Sequence, residues 1–382
     1  MAIYDEVLAF IRTPEQARFE SLGLKVFRHQ FDSVGPYRQY CMTRGVHPSE
    51  VNSLDQVPAL STVAFKYAEL GDAVTPSEPR PPSVFMTSGT TAGRDERGRH
   101  RVPRLDIYRA AALGHLARML FPDGARMEML SLHPTADRMP ESSLGQMISW
   151  MIEEFGAGDA LCVADRKAVK IAPALEFLRS AQRRGKPVCI MGTTAAFGAL
   201  CGELRTQSSR LVLARGSRLM DTGGAKGQSV PLRPSQVVEH AQAFLGLDPA
   251  LVINEYGMTE MCSQLYDVTS FNSCNSRNSH RGDSLQERPE KRPEERAEMR
   301  LKRGPAWLGV AAVDPASLRR VADGHPGLLR FFDLANVGSV SAILTGDLGV
   351  IQDGAVRVLG RAEDGEARGC ALGIEQFAVG ES

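Results

Sequence analysis

The sequence predicts an α/β fold whose sheet gathers its ligand-binding loops along one edge. Three runs predict it, each a short apolar strand ending in a glycine-containing turn. Leu251-Val252-Ile253 leads into Asn254-Glu255-Tyr256-Gly257-Met258-Thr259-Glu260. Residues 218–221 lead into Thr222-Gly223-Gly224, and Val84-Phe85-Met86 leads into Thr87-Ser88-Gly89-Thr90-Thr91-Ala92-Gly93. Between them lie stretches of helical spacing, the alternation expected of an α/β sheet. In such sheets ligands bind at the carboxyl ends of the strands. Tyr256 offers a flat face for a ring, Thr259 a donor for a phosphate oxygen, and Glu260 a hard oxygen ligand for Mg²⁺. A Tyr and a Glu beside a turn also serve packing and solvation, so this stretch alone leaves both readings open.

Bulk properties narrow the class. At 382 residues the chain exceeds the size at which one hydrophobic core stops growing, so two or more lobes are expected. Lys+Arg and Asp+Glu both number 45, which argues against a nucleic-acid or membrane-surface protein that binds through bulk charge. No apolar run approaches the roughly 20 residues needed to span a bilayer. The first residues carry Asp5 and Glu6 and lack a signal-peptide pattern. The seven cysteines are scattered, odd in number and never spaced as CxxC, which favours a reducing compartment over a disulfide framework or a zinc site. A soluble cytoplasmic protein is expected.

In chain order, Tyr4, Val7, Leu8 and Ile11 fall at helical spacing, and Phe31, Val34, Tyr37 and Cys41 continue a second apolar face. The hydroxyl-rich glycine loop after Met86 can wrap main-chain N–H groups around a polyphosphate, or be a plain linker. It is not a Walker A loop. Arg94, Arg97, Arg99 and Arg101 would add positive charge beside it. Asp106 is read as the cap of a helix carrying Ala110, Leu113, Leu116 and Leu120. A strand over 129–132 ends at His133, which could touch a substrate carboxylate or be structural. Pro140-Glu141-Ser142-Ser143 reads as a helix start, residues 168–184 as a helix, and 187–191 as a buried strand. The small residues of Ala195-Ala196-Phe197-Gly198 would suit the wall of an acyl pocket.

Residues 270–303 are nearly free of large apolar side chains and read as a charged, mobile insertion. Short β-type runs follow at 308–313, 328–332, 340–344, 350–351 and 356–359, with a hairpin signal at Asp353-Gly354. Between them Thr345-Gly346-Asp347 reads as a turn whose Asp347 could accept both hydroxyls of a ribose, with Arg361 near the same sugar or a phosphate. Near the end, Cys370 follows Arg368 and Gly369, and positive charge beside a thiol favours the nucleophilic thiolate.

Four separated pieces, in the same order, resemble the adenylate-forming superfamily of acyl-CoA synthetases and adenylation domains. They are Ser88-Gly89-Thr90-Thr91, Gly223-Gly224, Tyr256-Gly257-Met258-Thr259-Glu260, and Thr345-Gly346-Asp347 with Gly360-Arg361. A finer resemblance is to the acyl-protein synthetase (LuxE-type) family. It rests on 140–144, on 254–267, on Asp333-Leu334-Ala335-Asn336 with Gly338-Ser339-Val340, and on Glu366-Ala367-Arg368-Gly369-Cys370.

The resemblance implies the large-domain architecture of an adenylate-forming enzyme, with mixed α/β sheets plus a β-rich lobe and a very short C-terminal segment. The implied division is an α/β core over 1–269, the insertion over 270–303, the β-rich lobe over 304–359 and a segment over 360–382 carrying Cys370. It further implies ATP and Mg²⁺. Ser88, Gly89, Thr90, Thr91 and Gly93 would surround the phosphates, and Gly223, Gly224 and Tyr256 would flank the adenine. Thr259 would meet the α-phosphate, Glu260 would hold Mg²⁺, and Asp347 would bind the ribose with Arg361 close by. Cys370 would take the acyl group as a thioester for a partner such as an acyl reductase.

The implied activity is AMP-forming acid–thiol ligation of a carboxylic acid, a fatty acid first, without nucleic acid or membrane insertion. An alternative is an acyl- or aryl-CoA ligase of the phenylacetate-CoA ligase type, delivering to coenzyme A or a carrier protein. A further one is a non-catalytic nucleotide-binding protein descended from such enzymes. Two departures stand out: the lysine of the longer members' C-terminal domain is not expected in this chain, as in the acyl-protein synthetases themselves, and the phosphate loop reads Thr91-Ala92-Gly93-Arg94 without Pro-Lys-Gly.

Overall fold

The apolar spacing at the start of the chain becomes helix α1 (Ile3–Arg12), which buries Val7, Leu8, Phe10 and Ile11. The second apolar face is divided, because Gly35 and Pro36 begin a new helix. It forms α2 (Phe19–Ser33) and α3 (Gly35–Thr43). The structure, a computed structural model, describes residues 2–72, 83–87, 97–223, 232–273 and 300–362. Beyond α3 come β1 (Leu60–Ser61), β2 (Ser83–Met86), β3 (Arg99–Val102), α4 (Leu105–Leu120), β4 (Met127–Ser131), α5 (Ser143–Phe155) and β5 (Gly156–Cys162). Then follow α6 (Ile171–Arg184), β6 (Val188–Thr193), α7 (Thr194–Thr206), β7 (Arg218–Thr222), α8 (Pro234–Leu245), β8 (Val252–Tyr256) and β9 (Leu265–Asp267). The last elements are β10 (Lys302–Arg303), β11 (Leu308–Val313), β12 (Pro326–Asp333), β13 (Ala342–Gln352) and β14 (Ala355–Arg361).

Strands β4 to β8 pair in parallel in the spatial order β5-β4-β6-β7-β8. The residues of β4, β6 and β7 are buried on both faces, as parallel strands between helix layers must be, whereas the edge strand β5 is largely exposed. Met129, Met191, Met220 and Ile253 pack with α4 and α5. Their neighbours Leu130, Ile190, Leu219 and Val252 pack with α6, α7 and α8. The order reverses between β4 and β6, so a switch point opens there, at the carboxyl ends. Strand β5 had no clear signal, because Gly156-Ala157-Gly158-Asp159 is a poor strand former.

The sheet does not stop at β8. Antiparallel β9, β10 and β14 carry it into the β-rich half, giving a 12-stranded sheet among the described residues. The structure differs from the reading at Thr345-Gly346-Asp347 and at Asp106. Thr345-Gly346-Asp347 lies inside the 11-residue strand β13, which merges two predicted runs across a shift in register. The turn that does form is Asp353-Gly354, with φ of 50° and 69°, the pair of positive values that a tight hairpin requires. Asp106 does not cap α4. Arg104 is the cap residue, and Asp106 accepts from its guanidinium at 2.8 and 2.7 Å.

Both ends of the expected insertion belong to the folded core. Asn272 is buried and donates to the carbonyls of Met119 and Asp267, each at 3.0 Å. At the other end Lys302 spends all three ammonium protons: on Asn254 O at 3.1 Å, Asn254 Oδ1 at 2.6 Å and Asp267 Oδ1 at 2.7 Å. Arg300 and the amide of Asn254 satisfy Asp267 Oδ2 at 2.6 and 3.0 Å. Burial alone would push the Asp267 carboxyl up, but Lys302 and Arg300 outweigh it and hold it below the usual range. No helix among the described residues is long and apolar enough to cross a membrane.

Removing one partner of a buried pair strands the other charge. Lys302→Met should therefore lower the unfolding free energy by about 3–5 kcal/mol in urea titration at neutral pH. Lys167→Met, at an exposed site, should change it by less than about 0.5 kcal/mol.

Candidate nucleotide and acyl site

The carboxyl ends of β4, β6, β7 and β8 deliver His133, Thr193–Thr194, Thr222–Gly223 and Tyr256 to one edge of the sheet. Alternation along β8 decides what each residue does. Asn254 and Tyr256 share one side, while Glu255 turns to the other and is buried. The Tyr256 hydroxyl donates to Asp347 Oδ2 at 2.7 Å, and Arg361 Nε lies 3.2 Å from Asp347 Oδ1. Asp347 and Arg361 are directly opposed on β13 and β14. Three residues predicted to bind the nucleoside, separated by up to about a hundred positions, thus form one cluster. Arg361 is exposed and Asp347 half-buried, so the cluster faces solvent. Burial and the Asp347 charge push the Tyr256 hydroxyl well above its ordinary range, which keeps it a donor. Gly223 is exposed, with no described atom within 4 Å of where a Cβ would stand.

Thr259 and Glu260 follow in an irregular loop held by side chains of other elements. Asp333, fully buried at the end of β12, accepts from Cys262 N at 3.0 Å, Ser263 N at 2.9 Å and Ser263 Oγ at 2.7 Å. Asn336 donates to Glu260 O at 2.8 Å and accepts from Cys262 N at 2.9 Å. From β3, His100 Nδ1 meets Thr259 O at 2.7 Å. Burial pulls the His100 imidazole down to about 4, against the opposing effect of that bond, so it is neutral at physiological pH.

Ser88, Gly89, Thr90, Thr91 and Gly93 lie outside the described residues, as do Gly224 and Cys370. The frame of the phosphate loop is described: antiparallel β2 and β3, with residues 87–98 connecting them. Arg97 donates to the carbonyls of Thr87 and Met86 at the neck of this hairpin, and Arg101 pairs with Glu69 at 3.0 Å. These two arginines were expected to supplement the loop's positive charge. Arg97 instead commits donors to the hairpin, and Arg101 to Glu69.

His133 is half-buried at the switch point, with Nε2 3.0 Å from the hydroxyl of Ser142. Ser142 also caps α5 by accepting from Gly145 N at 3.0 Å, and burial pulls His133 down to about 4. Ala196 and Phe197, suggested for a pocket wall, are buried in the layer of α6, α7 and α8.

Sequence reasoning missed Thr222 and Glu255. The Thr222 hydroxyl donates to the buried Glu255 carboxylate. A Cβ on Gly257 would stand 2.3 Å from Glu255 Oε1, so a side chain there would force the buried carboxylate to move. Burial raises Glu255 to about 7, and the Thr222 bond and Lys302 only partly offset it. One signal was available: a carboxylate inside an apolar run demands a partner.

The C-terminal part of the chain, residues 285–378, matches the family model described as acyl-protein synthetase, LuxE. Over 96% of this chain and 92% of its own length, the long-chain-fatty-acid–luciferin-component ligase of Aliivibrio fischeri is 22% identical. The Vibrio harveyi protein of the same name is 21% identical over 97% of this chain and 92% of its own length. The fold is that of adenylate-forming ligases. The 2-hydroxyisobutyryl-CoA ligase bound to 2-HIB-AMP and CoA in its thioesterification state superposes with a TM-score of 0.61 at 18% identity, covering 92% of this chain and 70% of that one. An open conformation of the same ligase gives 0.59 at 18% identity, covering 92% and 79%.

Glu255 makes a pH prediction. Its folded value near 7 lies above the ordinary 4.5, so folding takes up a proton between these limits. Its favourable contribution is full below pH 4.5 and is lost as the pH rises to about 7. Glu255→Gln should gain on wild type by on the order of 2 kcal/mol between pH 5 and pH 8, read from paired thermal unfolding curves. Gly257→Ala should lower stability at both pH values, because its Cβ meets that carboxylate.

Proposed function

We propose that this chain, a relative of the acyl-protein synthetases, activates a carboxylic acid with ATP and passes the acyl group to its own Cys370. The observation that carries the adenylation half is the bridge from Tyr256 to Asp347, with Arg361 beside it and Thr259–Glu260 one turn further on. It presents a ring face, a carboxylate suited to two ribose hydroxyls, and a guanidinium on one solvent-facing edge. The 88–93 loop, framed by β2 and β3, would surround the phosphates, with Gly223 and Gly224 beside the adenine.

A carboxylate oxygen of the acid attacks the α-phosphorus of ATP. The bond from that phosphorus to the bridging oxygen breaks, and pyrophosphate leaves with its electron pair. Thr259 donates to the α-phosphate, where negative charge builds up. Among the described residues no three His, Cys, Asp or Glu form a metal cluster. Glu260 as a single carboxylate nevertheless fits Mg²⁺, which is commonly held by one or two carboxylates with substrate phosphates and water. When bound, the ion would neutralise charge on the phosphates. In the second step the Cys370 thiolate attacks the acyl carbon and AMP departs, leaving a thioester. An acyl reductase is the partner this chemistry suits, since a thioester is readily reduced; a long-chain fatty acid is the substrate carried by the relatives' names.

Acid-dependent exchange of labelled pyrophosphate into ATP tests the first half. Asp347→Ala should raise the KM for ATP about ten- to a hundredfold, the worth of hydrogen bonds to a charged group. Cys370→Ala should leave exchange intact and abolish a hydroxylamine-sensitive gain in intact mass. Exchange without any protein adduct would assign the acyl group to an external thiol such as coenzyme A. Absence of exchange across a wide panel of acids would contradict the adenylation reading.

A further inference from the structure

His100 stands on β3, the returning strand of the hairpin that frames the 88–93 loop. Its Nδ1 lies 2.7 Å from the carbonyl oxygen of Thr259, a residue 159 positions away. A carbonyl can only accept, so Nδ1 carries the proton and donates. The other ring nitrogen, Nε2, is then a bare acceptor. Among the described residues it has no partner, in a side chain only 1% exposed. Phe65 packs edge-on against the ring, with centroids 5.6 Å apart.

A buried acceptor without a donor is a cost that leucine or phenylalanine would avoid at the same site. Packing therefore does not explain an imidazole here, whereas the Nδ1–H bond does. The bond ties the phosphate-loop hairpin to the loop that presents Thr259 and Glu260. The next carbonyl, Glu260 O, is held by Asn336 at 2.8 Å, so two separate elements fix two successive peptide units.

We propose that His100 is a positioning residue for adenylation, setting Thr259 and Glu260 in register with the β2–β3 hairpin through its Nδ1–H bond to the Thr259 carbonyl. The inference rests on the ATP-dependent reading given above. It concerns geometry in the reacting complex, so it should act on turnover rather than on acid binding.

The imidazole has two amide mimics, which separate this role from simple packing. Asparagine places an N–H donor near the Nδ1 position and glutamine near Nε2. Pyrophosphate release should keep its kcat within about threefold in His100→Asn. It should fall about ten- to a hundredfold in His100→Gln and His100→Leu, with the KM for the acid unchanged. Hydrogen exchange of residues 256–263 in nucleotide-free protein should rise in the Gln and Leu variants and not in the Asn variant. Equal kcat in all three variants, or exchange unaltered by His100→Leu, would overturn the proposal. If wild type releases no pyrophosphate the adenylation reading fails instead, and the exchange pattern alone decides whether His100 couples the two loops.

Discussion

The structure depends on a buried ammonium group. Lys302, on β10, stands between β9 and β14, opposite Asp267 on one side and Val356 on the other. A lysine at this depth is costly unless every proton and every opposing lone pair is met. Here Asn254 and Asp267 take all three protons, while Arg300 and the Asn254 amide satisfy the remaining carboxylate oxygen. The network fixes the parallel strands against the antiparallel ones. Only with that register does Tyr256 on β8 come within 2.7 Å of Asp347 on β13.

The site itself is irregular backbone, and its order is borrowed from buried polar side chains. Asp333 accepts four hydrogen bonds, including Ala335 N at 3.0 Å, and Asn336 uses both ends of its amide. Burial raises the Asp333 carboxyl to about 6 despite those bonds, so the clamp is near its titration range in mildly acidic solution. Low local dielectric makes each such bond strong and each unmet group costly. Residues 257–263 need no helix or strand to keep Thr259 and Glu260 in place.

The alternation of apolar runs with helical spacing was enough to predict the α/β class; two of the three strand-to-glycine turns, after β7 and β8, end on one edge of the large sheet, while the third belongs to the separate β2–β3 hairpin. The motif order brought Tyr256, Asp347 and Arg361 to mind together, and they do meet. Other features were beyond local pattern. Thr345-Gly346-Asp347 resembles a turn in sequence, yet pairing of Asp347 with Arg361 of β14 keeps it in a continuous strand, at an irregularity in the pairing with β12. Strand β5 exists through its neighbour β4 rather than through propensity. Lys302 looked like the end of a solvated charge run, since its partners Asn254 and Asp267 are distant in sequence. His100 carried no signal at all, because its role depends on a carbonyl 159 residues away.

The central claim is that the Tyr256–Asp347–Arg361 edge holds the nucleoside of an acyl adenylate. The most direct measurement is calorimetric titration of wild type and Asp347→Ala with an acyl-sulfamoyl adenosine, which carries the acyl and adenosine parts on a stable linkage. The account predicts tight binding by wild type and a loss of about tenfold or more in Asp347→Ala. Equal affinity in both proteins, or no binding by wild type with any acyl chain, would contradict it.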